Sequence, residues 1–540
     1  MKPYSTPLTT CLTTLAFAAC LATAVRPAVA ADLRIGFHAE ITSADPHVHA
    51  VQNRNVWMHV YEPLVRQDAQ LRPAPGLARG WRAMDPMTWN FTLRPNVFFH
   101  DGSAMTAEDV KFSIDRARSM PGARTLRAYL KDIESVNVID PMTIQVKTAG
   151  PSPTLPDNLS LVVVLPRSIG KADEDAFAQG KGAIGTGPYK FGEWVRGQRV
   201  VLSRNDKYWG DREPWDKVSF EFIPKEPARA TALLTGAVDI INGASASVIE
   251  ALKRNPSIEQ AATVSYMLNY LFLDQRPTTP LVTDMAGKPL PANPLAQLKV
   301  RQALNLAIDR DVIARKVMKG DSEPAAQTVP EGFFGYEASL KPGRADVAKA
   351  RALLAEAGYP QGFQMTLYCT NDRYLNDAKV CEALGQMLTQ AGIKTAVQTQ
   401  PYAVVLGKAQ GSKPDVSDLS IGMMGIGAVS GDSLQPMIAT LQSRDPKAGT
   451  GQNNYGRYSN AKLDALIVQA NKTISPVERE AIQRQAAQLA AEDLGIIPLH
   501  HQKASWAFRK GLGITPRADN FTYAMNVREG GAAAPAPASK

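Results

Sequence analysis

Histidine is scarce in this chain, seven residues in all, yet four of them fall between His38 and His59. The pair His47-x-His49 would set two imidazoles on one side of an extended segment, a pattern able to hold a transition metal once further ligands join it. No such partners accompany it, so polar groups lining a cleft or a surface are the plainer expectation, and no metal is assigned. Two S-x-x-K matches occur, Ser168 to Lys171 and Ser459 to Lys462, but neither comes with S-D-N or K-T-G. The sequence holds no G-x-S-x-G elbow, H-E-x-x-H helix or G-x-x-x-x-G-K-[ST] loop, and Gly180-Lys181 runs on into Gly182. The chemistry-bearing types therefore point away from catalysis. A secreted hydrolase stays only as a remote alternative, and no cofactor is implied.

The compartment is written at the N-terminus. Lys2 is followed by an uncharged, Leu- and Ala-rich run from Leu8 to Val25, and Ala28-Val29-Ala30 supplies small residues at a cleavage site. That is the pattern of a secretory signal peptide over 1–30, leading to a periplasmic location. Phe17-Ala18-Ala19-Cys20 loosely resembles a lipoprotein box, with Phe ill-suited to its first position. The segment removes two of the 60 basic residues and none of the 51 acidic ones, leaving 58 against 51. So mild an excess, with no basic run, is not a nucleic-acid footprint. Cys11 and Cys20 leave with the signal, so Cys369 and Cys381 remain in a compartment that permits a disulfide. Two separately packed thiols are an equal reading.

Strand and helix signals alternate along the rest. Trp89–Leu93 alternates apolar and polar residues as a half-buried strand does, and Asp101-Gly102 turns the chain. Thr106-x-x-Asp109 then opens a helix with Ala107, Val110, Ile114 and Ala117 on one face. Gly185-Thr186-Gly187-Pro188 precedes a hairpin of Tyr189–Val195 and Val200–Arg204. Helices are expected around Val300–Ile308 and from Asp346 to Gly358, and Phe363–Tyr368, the helix through Val380–Ala391 and Ile393–Val397 read as a parallel βαβ unit. Pro476–Leu494 is helical by pattern, Ile496–Leu499 a buried strand, and 529–540 an Ala- and Pro-rich disordered tail. So long a chain needs more than one core.

Several phrases, in order along the chain, resemble the extracellular solute-binding proteins of family 5, which serve ATP-binding-cassette importers of dipeptides, oligopeptides and nickel chelates. They are Ala44-Asp45-Pro46, Tyr61-Glu62-Pro63-Leu64, Phe99-His100-Asp101-Gly102-Ser103, Thr106 to Ser113, Gly185 to Tyr189, Arg204 to Trp209, Val300 to Arg310 and Leu353 to Tyr359. The resemblance implies an α/β, two-lobed fold of the periplasmic-binding type (type II, with an extra subdomain) that closes by a hinge. Lobe I would comprise 31–60, 185–272 and 495–528, with a subdomain, 61–184, inserted in it; lobe II would be 273–494. The expected partners are a small-molecule or peptide ligand and the importer's permease subunits, with the protein itself a monomer and no nucleic acid involved.

The resemblance also implies where ligand sits. Dipeptide-binding relatives hold the carboxylate with an Arg in a loop that here reads Asn371-Asp372-Arg373-Tyr374. A second loop, after strand Leu419–Met424, carries Gly-Trp and acids in such relatives; here it is Gly425-Ile426 with Asp432 as the remaining acid. Met58, Tyr61 and His47 fall where relatives line the cleft. A di- or oligopeptide or similar carboxylate-bearing solute is the leading expectation. A nickel or metal-chelate carrier is the alternative, and a peptide-holding chaperone or adhesin a third class.

Overall fold

The computed structural model describes residues 31–122, 124–412 and 417–530. The expected signal peptide, with Cys11 and Cys20, and all but the first two residues of the expected tail lie outside them. Among the described residues one mixed sheet of eleven strands organises the molecule. From edge to edge it runs Ile393–Gln400, Phe363–Thr370, Ile421–Ile426, Ile258–Leu273, Ile496–Arg509, Ile240–Asn242, Asp32–Phe37, Lys217–Phe222, Arg199–Arg204 and Tyr189–Val195, and Ser322–Pro324 also pairs with Ile496–Arg509. A separate antiparallel sheet of four strands, Ala78–Asp85, Thr88–Leu93, Thr143–Thr148 and Ile133–Asp140, forms its own layer.

Burial follows the sequence periods. Thr88–Leu93 buries every second residue, Trp89, Phe91 and Leu93. Helix Ala107–Ser119 starts at a capping box, where the Asp109 carboxylate accepts from the Thr106 amide at 2.8 Å, and it buries Ala107, Val110, Ile114 and Ala117. Strand Phe363–Thr370 pairs in parallel with Ile393–Gln400, and helix Asp377–Gln390 joins them, so the βαβ reading is correct. The single strand anticipated at Ile496–Leu499 is much longer, because its partner Ile258–Leu273 gives it a ladder beyond the apolar run.

Separate apolar cores account for the size of the chain. An N-terminal core gathers Leu33, Ile35, Val56, Trp57, Tyr61, Phe220 and Trp506. The four-stranded layer packs Phe91, Val110, Ile114, Val146 and Leu159. Two C-terminal cores lie around Leu304, Leu367, Leu384 and Ile497, and around Tyr270, Met424, Leu463 and Ile467. Strands Ile258–Leu273 and Ile496–Arg509 span from one half to the other. Trp506 lies in the N-terminal core, whereas Leu271 and Ile497 lie in a C-terminal one. Their register breaks between Val264 and Leu268, an irregularity that can re-aim the side chains it contains. Tyr266 stands there.

The phrases that carried the family resemblance are scaffold. Glu62, nearly fully buried, accepts from Tyr208 Oη at 2.8 Å, Trp209 Nε1 at 2.8 Å and Thr186 Oγ1 at 2.9 Å, and it is ion-paired with Arg66. Three of the phrases therefore meet on one carboxylate. Gly185 and Gly187 press against the backbone of His59 and Val60, where any Cβ would collide with a carbonyl oxygen. Asp45 receives Arg116 Nη1 at 3.0 Å and Nη2 at 2.5 Å.

Candidate functional site

The loops that leave the C-terminal ends of strands Phe363–Thr370 and Ile421–Ile426 lie side by side, the position at which α/β sheets present ligand-binding groups. The first loop is shaped by Asp377. Its Oδ2 accepts from Thr370 Oγ1 at 2.6 Å and from the amides of Arg373 and Tyr374 at 3.2 Å. That fixes the backbone and leaves the Arg373 side chain in the open. Its guanidinium lies over the Tyr402 ring, 5.1 Å from the centroid. No carboxylate among the described residues pairs with it. A disulfide between Cys369 and Cys381 ties the strand before the loop to the helix after it.

The second loop answers the first. Tyr374 donates to Gly425 O at 3.4 Å, and a Cβ at Gly425 would strike its ring. Gly427 is pressed equally close against Tyr266. Val429 O accepts from Gln67 Nε2 at 2.7 Å, and its amide donates to Gln435 Oε1 at 3.1 Å. Gly431 donates to Leu71 O at 2.8 Å, with backbone packed so tightly that only glycine fits. This loop is therefore where the C-terminal half meets residues of 60–130.

From the other side comes Arg54, on helix Val51–Trp57. Its Nη2 donates to Gln67 Oε1 and Ser160 O, both at 3.1 Å, and its face lies 5.8 Å from the Phe521 centroid. Its Nε is buried with no partner, and no acid is paired with it. Tyr129 packs edge-on against His49 at 5.5 Å. Burial, and then the charge of Arg54, pushes the His49 pKa down. Burial lifts the Tyr266 hydroxyl to about 12, against the opposing pull of Arg54 and Arg373.

The sequence-expected residues divide. Arg373, Tyr374 and Gly425 are brought together. Ile426 turns into the apolar core with Met424 and Leu268, so its side chain packs. Asp432 is a correction: it is buried, ion-paired with Arg479, and accepts from Gln483 Nε2 at 2.9 Å and the Leu434 amide at 2.8 Å. No charge is left on it for a ligand amine. His47 is a second correction. Its Nε2 meets Val163 O at 2.9 Å and its Nδ1 lies 3.0 Å from Arg116 Nη1. Burial, and then that arginine, push its pKa down to about 4. Tyr61 is buried beside Trp57, and Met58, the residue that ends helix Val51–Trp57, packs on the same core. Among the described residues no group of three or more His, Cys, Asp or Glu is placed to hold a metal ion, and no helix is long and apolar enough to cross a membrane. Arg54, Tyr129, Tyr266, Tyr402 and Gln435 were not singled out from the sequence. They carry no motif, and only the topology assembles them.

Known proteins resemble this chain over most of its length. The model of the bacterial extracellular solute-binding proteins, family 5 (middle), matches residues 72–448. The glutathione-binding protein GsiB of Salmonella paratyphi A is 29% identical over 497 residues, 90% of this chain and 92% of its own. Among solved structures, HbpA2 from Haemophilus parasuis aligns with TM-score 0.78 at 24% identity, covering 92% of this chain and 99% of its own. The periplasmic binding protein DppA from Helicobacter pylori, in complex with the peptide STSA, aligns with TM-score 0.69 at 23% identity, covering 92% and 98%.

Proposed function

The chain belongs to the bacterial extracellular solute-binding proteins of family 5, and on that premise we propose that it captures a small, carboxylate-bearing, peptide-type solute for an ATP-binding-cassette importer. The observation that carries this reading is Arg373: an exposed guanidinium without an acid, held on a tyrosine face at the mouth of the sheet. A planar fork of donors in that state is suited to a carboxylate. The glutathione and peptide ligands of the relatives named above support the substrate class.

In this reading the protein works without making or breaking a bond. Lobe I is built on the N-terminal core with the four-stranded layer inserted, and lobe II on the two C-terminal cores. The two long strands join them, with the register break at Val264–Leu268 as the hinge. Solute bound by Arg373 and by groups of the opposite lobe favours the closed arrangement, which the permease recognises by shape. Residues 1–30 export the chain to the periplasm, and the mature protein starts at Ala31 and acts as a monomer.

The test is a thermal-shift screen of residues 31–540, refolded to strip bound solute, against di- and tripeptides, glutathione, dicarboxylates and nickel with histidine. Ligand at 100 times its Kd stabilises by about 2.7 kcal/mol. A peptide-dependent rise in Tm is expected, and Arg373→Ala weakens binding by about 1.5–3 kcal/mol, the range of a hydrogen bond to a charged group. A response to nickel–histidine alone overturns the peptide reading.

A further inference from the structure

Arg373 is not alone in lacking a counter-charge. A chain of contacts joins it to Arg54. Arg54 bonds Gln67, which bonds Val429; two residues before Val429, Gly427 packs on Tyr266; and Gly425 packs on Tyr374, whose ring lies 6.5 Å from that of Tyr402, the platform of Arg373. The two guanidinium groups thus flank the same glycine-rich loop, and both act on the one tyrosine, Tyr266, that stands at the break between the long strands. Arg54 meets only neutral oxygens and an aromatic face, and its Nε is left without a partner.

The acids around them are already committed. Asp432 is paired with Arg479. Asp519 receives Arg517 Nη2 at 2.6 Å. Asp377 caps the 370–374 loop. Asp372 Oδ1 accepts from the Tyr402 amide at 2.8 Å, at the surface. Two cations without counter-charge on either side of one glycine-rich loop ask for two negative groups and offer an ammonium group little.

We propose that the solute is a dianion: one carboxylate is held by Arg373, a second acidic group by Arg54 from the opposite side of the cleft, and any amine on it is acylated. This rests on the peptide-type reading above and narrows it.

Four matched peptides decide it, measured by titration calorimetry on residues 31–540: N-acetyl-Ala-Glu, Ala-Glu, N-acetyl-Ala-Gln and Ala-Gln. N-acetyl-Ala-Glu is expected to bind tightest, with loss of the second carboxylate costing at least about tenfold, equivalent to roughly 1.4 kcal/mol. Arg54→Gln should abolish the preference for Glu over Gln while Arg373→Gln weakens all binders, and Arg54→Lys should restore part of the preference. Because Arg54 also bonds Ser160, the Tm of each variant is recorded, and the Glu-to-Gln ratio is a readout that altered folding alone does not move. Ala-Gln binding as tightly as N-acetyl-Ala-Glu, or a Glu preference that survives Arg54→Gln, overturns the two-arginine assignment and leaves the peptide reading standing. Silence from all four overturns both.

Discussion

Two arginines of the C-terminal half stand in opposite electrostatic states. Arg479 is buried, ion-paired with Asp432, stacked 4.3 Å from the Phe334 centroid, and lies close enough to Asp157 to act on its charge. Arg373 is exposed, stacked on Tyr402 and paired with no acid. Both use an aromatic face, yet the first is internally neutralised and the second is not. A buried charge must carry its partner with it, because desolvation makes an unpaired one untenable. A charge at a cleft can wait for a partner that arrives from solution. The difference separates a charge neutralised within the C-terminal half from one that, in the proposed function, is left for a solute, and it leaves Asp432, the acid of the second loop, with no charge to offer.

The sharpest way to break the comparison is at Arg479. Arg479→Ala strands Asp432 in a buried position beside Asp157, and a loss of about 3–5 kcal/mol in unfolding free energy is expected. Urea melts check this. Replacing Arg479 by Met and Asp432 by Leu together should recover most of the loss, since a buried pair is often replaceable by apolar volume. Binding of the peptide panel should survive in the double variant. A large affinity loss there would return Asp432 to the site.

Most of the scaffold was legible in the sequence, and the site only in part. The capping box at Thr106, the hairpin after Gly187 and the parallel unit from Phe363 are local patterns, and local patterns fix local structure. The family phrases were legible for a related reason: Glu62, Thr186 and Tyr208 must keep their identities to satisfy one buried carboxylate. Arg373 was reached through that resemblance. Arg54 was not, because an arginine on a short helix beside Trp57 reads as an ordinary surface residue until Gln67 and Val429 are placed against it. The resemblance misled in the other direction at Met58 and Tyr61, which follow that helix and pack on the N-terminal core. His47 looked available only because its partners, Val163 and Arg116, lie 116 and 69 residues away.

The disulfide offers a test of intermediate size. Cys369 and Cys381 close a loop that contains Arg373, and neither thiol is exposed. By loop-closure entropy a link of sequence separation 12 contributes about 3 kcal/mol to stability. Cys369→Ala with Cys381→Ala should lower the unfolding free energy by roughly that amount, measured under oxidising conditions in which the parent keeps its bond. If the link also holds the loop for its ligand, affinity falls in the double variant while that of Arg373→Ala, already weakened, changes little further. Affinity unchanged by the double variant would show that the bond acts on stability alone, and an equal loss in both backgrounds that it acts on binding independently of Arg373.

The smallest effect, and the most specific, is a pH dependence on the neutralised side of the comparison. Asp157 sits on helix Leu155–Leu159 of the four-stranded layer, and its carboxyl is pushed up to about 8, first by burial and then by the charge of Asp432, with Arg479 pulling the other way. A carboxyl raised from the ordinary value near 3.8 is protonated in the folded protein where it would be ionised in the unfolded chain. Across pH 4 to 8 the folded state therefore holds one more proton, and its stability falls as pH rises, by at most about 1.4 kcal/mol per unit. The buried His47, His59 and His500, each depressed to about 4, act oppositely. Their contribution is complete above the ordinary histidine value of 6.5 and is lost as pH falls toward 4. Between pH 7 and 8 the buried histidines contribute little, and the carboxyls still titrating are Asp157 and Glu213, the latter pushed up to about 7 by burial, so the slope of Tm in that window should be negative in the parent and shallower in Asp157→Asn. A slope unchanged in Asp157→Asn would assign the proton elsewhere, to Glu213 among others, and detach Asp157 from the Arg479 pair.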